Sequence, residues 1–123
     1  MAGGNTHNNM VKGIRKTIPG EGRELQGIDF TVSAKAMDDV QAQFGLLVDQ
    51  IYQWHKEFGE ACGSLSIDFV GPPPIHEAMM ASLVAFIKQE DPLRPLFNQL
   101  GHIVVALVTP EGAVLQESEL KFD

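Results

Sequence analysis

His76 and Glu77 follow one glycine and three prolines in the stretch SLSIDFVGPPPIHEAMM, residues 64–80. A His-Glu pair on a helix is half of the zinc-protease pattern, which needs a second histidine four residues after the first. Met80 stands at that position, so the pattern is broken. What remains is a helix-start imidazole able to act as base or hydrogen-bond donor, with the helix amides as an anion holder. That reading makes a pocket of Ser33, Gly71, Pro72, Pro73, His76 and Glu77 at a strand-to-helix junction. Open α/β sheets place ligands at such carboxyl ends of strands. The plainer expectation is a polar pair exposed after a stiff proline corner.

The other reactive side chains form no constellation. Asp29 and Asp68 occur in two Ile-Asp-Phe triplets, but mid-strand and on the face opposite Ile and Phe, where solvent is expected. His7, His55, His76, His102 and Cys62 have no metal-ligand spacing, so neither a metal nor a cofactor is expected. Cys62 has only Lys56 as a nearby cation to activate it. The glycine-rich PGEGRE lacks the Lys-Ser/Thr ending of a phosphate loop and precedes a strand.

The elements that must position these residues follow from periodicity. VKGIRKTI and RELQGIDFTVS, with Ile28, Phe30 and Val32 alternating, predict two strands paired across PGEG. Met37, Val40, Phe44, Leu47, Ile51, Trp54 and Phe58 step by three and four, predicting a helix over 34–58 capped by Ser33. The stripe is broad, which suits packing on a sheet better than a coiled-coil seam. Leu65, Ile67 and Phe69 mark a third strand, and a second helix follows the prolines, its face set by Ile75, Met79, Leu83, Phe86 and Ile87. LRPLFNQLG reads as a short helical turn. The apolar HIVVALV, a TPEG turn and a polar return strand, 113–122, complete the order β-β-α-β-α-β-β. The expectation is an α/β or α+β domain over 11–123. It has one mixed sheet of four to five strands, covered by two main helices, after a flexible polar tail over 1–10. GIDFTVS and SIDFVGP, 39 residues apart, suggest a repeated strand-helix unit, although two independent units with the same packing needs look alike.

Charge narrows the partners. The net charge is −7, unevenly spread: residues 1–23 carry four cations against Glu21, and the rest carry five against fifteen acids. The acidic body argues against nucleic acid. The longest apolar run, Ala78 to Ile87, is too short to span a bilayer, and the first ten residues lack a secretion signal. With one cysteine the expected setting is the cytoplasm. The expected function is a small acidic interaction, regulatory or assembly module without catalysis, binding a protein partner or itself. Its contacts are expected at the basic strand Lys12, Arg15 and Lys16, at the return strand, and at the proline corner. The alternative is a small-molecule-binding or enzymatic domain with its pocket around Gly71–Glu77.

Overall fold

The computed structural model describes residues 10–122. The first two predicted strands form a hairpin, β1 (Met10–Gly20) and β2 (Arg23–Ser33), longer and tighter than expected. Pairing continues through Pro19 and Gly20, so only Glu21 and Gly22 turn the chain, with Gly22 at φ 74°. Proline is tolerated here because β1 is an outer strand. The predicted tail lies outside the described residues except Met10, which begins β1.

Helix α1 (Met37–Phe58) starts three residues later than predicted. Ser33 does not cap it, because Ser33 stays in the sheet opposite Val70. Ala36 holds the cap position instead, and its N–H donates to the Asp39 carboxylate at 3.3 Å. Then come β3 (Cys62–Val70), α2 (Pro73–Gln89), α3 (Arg94–Leu100), β4 (His102–Val108) and β5 (Val114–Lys121). Gly101, at φ 78°, ends α3, and Gly112, at φ 97°, turns the last hairpin.

The five strands lie in sequence order, β1-β2-β3-β4-β5, in one mixed α+β sheet. The inner pairs are parallel and the outer pairs antiparallel. Both crossovers step the same way across the sheet, and right-handed crossovers of that kind put their helices on one face. On that face Phe30, Val32, Ile67 and Phe69 meet Leu47, Ile51 and Trp54, each 1% exposed or less. Each such large side chain contributes about 1.5–3 kcal/mol by leaving water. Phe44, Phe86, Phe97 and Phe122 form an aromatic file across all three helices, with ring centroids 5.8, 5.8 and 5.2 Å apart. The two Ile-Asp-Phe strands are neighbours, but Ile28 lies beside Leu65 and not Ile67, so the sheet register is offset by two residues from the sequence echo. No helix among the described residues is long and apolar enough to cross a membrane.

Candidate functional site

The proline corner is built to be stiff. At the end of β3, Gly71 N–H donates to Val108 O at 3.0 Å. A Cβ on Gly71 would lie 2.7 Å from Ala34 O, so the chains approach too closely for any other residue. Pro72 then caps α2 in an extended conformation, and Pro73 and Pro74 begin the helix. Three prolines carry no N–H, and the next two amides, Ile75 and His76, both donate to Pro72 O at 2.9 and 3.2 Å. The expected anion cradle of helix-start amides is therefore absent, for want of free donors.

His76 is not the exposed residue the plainer expectation describes. It is 4% exposed, and its ring Nε2 lies 2.8 Å from Val108 O. A carbonyl only accepts, so Nε2 carries the proton. Val108 O thus receives two donors, and His76 ties the start of α2 to the end of β4. Glu77, one residue on, is exposed as expected.

A cleft of about 540 Å³ opens beside this corner. Pro73, His76, Glu77 and Met80 of α2 form one wall, and Leu107 and Gln116 of β4 and β5 lie opposite. A second hollow of about 290 Å³ follows farther along α2, between Val84, Ile87 and Lys88 and the end of β5 at Leu120 and Phe122. Both lie between α2 and β5, along what is called the groove below, and the width of the sheet accounts for their position. Five strands span about 19 Å from first to last, and two helices about 10 Å apart cannot cover them all. The uncovered strand is β5, with Leu115 56% exposed. Of the candidate pocket residues, Pro73, His76 and Glu77 line the cleft, while Ser33, Gly71 and Pro72 do not. Sequence reasoning named the return strand that carries Leu115 and Gln116 but missed Met80 and Val84, whose available signal was the uncharged run Ala78 to Ile87.

The basic strand does not present one patch. Arg15 faces the helices, with Nη1 2.8 Å from Glu57 Oε1 and its guanidinium 5.4 Å over the Phe58 ring. Lys16 faces the opposite, helix-free side, 3.2 Å from Asp29 Oδ2, and Lys12 lies on that side beside Thr31. Exposed pairs of this kind contribute at most about 1 kcal/mol.

Asp29 and Asp68 share the helix-free face. Asp29 also accepts from Ser66 Oγ at 2.7 Å. Desolvation, then Asp29 and Glu117 nearby, push the Asp68 carboxyl up. No described cleft joins the two aspartates to a nucleophile. Cys62 is buried, and that burial pushes its thiol up to about 11, away from the reactive thiolate. Among the described residues, no group of three or more His, Cys, Asp or Glu side chains is placed to hold a metal ion. Comparison with protein-family models, curated proteins and solved structures gives no match.

Proposed function

We propose that this chain is a small acidic protein-interaction module without catalysis, and that it binds a helix of a partner chain in the groove between α2 and β5. The observation that carries the reading is the pair of hollows between α2 and β5, lined by Met80, Leu107 and Leu115 in one and Val84, Ile87 and Leu120 in the other, with polar side chains at their borders. A helix with side chains is about 10–12 Å across, which suits the strip that α1 and α2 leave over β5. Helix-in-groove binding uses apolar anchors three and four residues apart. Met80, Val84 and Ile87 offer such a spacing from the receiving side. Both the return strand and the proline corner border this groove, whereas Arg15 is engaged with α1. The setting in this reading is the cytoplasm, where a single buried thiol stays reduced.

A second reading draws on the upper cleft alone. Its volume falls among those of small-molecule sites, about 300–1,000 Å³. Against it stand the missing free amides and the use of His76 Nε2 within the fold.

Native mass spectrometry of untagged protein across concentrations, wild type beside Leu115→Glu, separates the two. Protein assemblies in the wild type, lost when a charge enters the groove and with the melting temperature unchanged, support the interaction reading. A monomer carrying a bound compound of a few hundred daltons overturns it.

A further inference from the structure

We infer that the chain in the groove is a second copy of this one, and that each copy lays its own α2 into the groove of the other. This rests on the groove reading above and names its occupant.

The argument begins with the outward side of α2. A surface helix normally carries polar or charged residues on the side away from the core; α1 does so with Asp38, Asp39, Gln41, Asp49, Lys56 and Glu57, although Leu46 is 50% exposed midway. In α2 no charge occurs between Glu77 and Lys88. Its exposed positions over that stretch are Ala81, Val84 and Ala85, and Val84 is 37% exposed. A helix that is apolar all round is covered all round in its working state. The same helix is thus one wall of the groove, and its own outward side is exposed.

A two-fold axis satisfies both at once. With two copies related by that axis, α2 of each fills the strip over β5 of the other, and the two α2 helices run antiparallel side by side. Such an interface uses one patch on both copies and closes on itself, so assembly stops at the dimer. Ala81 and Ala85, one turn apart, keep the helix surface low and allow axes to approach to about 8 Å.

Charge decides the direction and the partner. Glu77 and Lys88 are eleven residues apart, about 16 Å along the helix, and they bracket the uncharged stretch. In antiparallel order Glu77 of one copy meets Lys88 of the other, twice. In parallel order like charges meet. The groove repeats the polarity: Lys88, Arg94 and Lys121 border its far hollow, and Glu77 borders the near one. The groove is therefore complementary to this chain's own helix in antiparallel order.

Sedimentation velocity of the full chain over a concentration series tests this with Glu77→Lys, Lys88→Glu and the double reversal. A dimer is expected in the wild type. Each single reversal turns two attractive contacts into repulsive ones, weakening the dimer by at least about tenfold in Kd. The double reversal restores it, and both sites are exposed, so the far-ultraviolet circular dichroism of every variant stays that of the folded chain. A dimer indifferent to these reversals but lost in Leu115→Glu overturns the antiparallel pairing and leaves the groove reading standing. A wild-type monomer at every concentration overturns the self-partner. If native mass spectrometry then finds a different chain in the groove, the groove reading survives; an empty or small-molecule-bound monomer removes both.

Discussion

Replacing His76 by alanine tests whether the proline corner is a structural joint or a chemical site. The ring is 4% exposed and donates to Val108 O at 2.8 Å, and both are lost in the variant. The hydrogen bond is worth about 1 kcal/mol net. Val108 O keeps its second donor, Gly71 N–H at 3.0 Å, so no orphaned acceptor adds to that loss. Emptying the volume of the buried ring costs about a further 1–2 kcal/mol. The sum is about 2–3 kcal/mol. At about 4 °C per kcal/mol for a chain this size, the melting temperature falls by about 8–12 °C. Thermal and urea unfolding followed by circular dichroism read this directly. The urea slope should be unchanged, since the surface exposed on unfolding hardly differs. Glu77→Gln is the control and should stay within about 0.5 kcal/mol of wild type, because Glu77 is exposed. If His76→Ala melts within about 1 °C of wild type, the hydrogen bond contributes nothing to stability, and a chemical role for the imidazole regains its place.

Gly71→Ala should cost about 1–3 kcal/mol in the same unfolding assay, because the new Cβ meets Ala34 O at 2.7 Å and a backbone carbonyl cannot swing aside. Tyr52 is the sole tyrosine, so ultraviolet titration reads it alone. Its hydrogen bond to Glu90, with burial and the Glu90 charge, pushes the phenol up to about 12 from 10.0. The stability this confers is complete below pH 10 and is lost as pH rises towards 12, and Tyr52→Phe removes that pH dependence. Asp68→Asn should raise the melting temperature at neutral pH. The native carboxyl is pushed up by desolvation, Asp29 and Glu117, so its ionisation opposes folding. The gain should vanish once the pH falls below the usual carboxylate range, where Asp68 is neutral in both states.

The sheet was legible because each strand and helix carries one period. Ile28, Phe30 and Val32 in β2, and Leu65, Ile67 and Phe69 in β3, alternate without interruption, and all six are buried. Of the α1 stripe, Val40, Leu47, Ile51 and Trp54 are buried, whereas Met37 is 59% exposed at the helix start. Gln43 is buried in the same helix, and no polarity pattern announces a buried amide. The hairpin turn was placed too early because Pro19 reads as a breaker, yet on an outer strand its missing N–H costs nothing. Ser33 reads as a cap by type, and pairing with Val70 outweighs that preference. Of the six residues named at the corner, Pro73, His76 and Glu77 line the cleft, while Ser33, Gly71 and Pro72 do not, because the cleft opens towards β4 and β5. The burial of His76 was not legible, since it depends on Val108, 32 residues away in sequence.

The groove was hidden by the way periodicity is used. A stripe at three- and four-residue spacing identifies the side that meets the core, and Ile75, Met79 and Leu83 meet it as predicted. The same reading assumes that the remaining sides are solvated and does not ask whether their composition allows it. In α1 that assumption holds for most of the outer side, where aspartate, glutamine and lysine recur, but Leu46 is 50% exposed. In α2 it fails over Ala78 to Ile87, where Ser82 is the only polar residue. A count of layers, available from the element order alone, points the same way. Five strands need more cover than two long helices provide, and a third helix of seven residues does not supply it. An uncovered edge beside a helix with no polar side is a mismatch that a single chain cannot repair. The two deficits lie side by side on the same helix, and a second copy related by a two-fold axis would meet both.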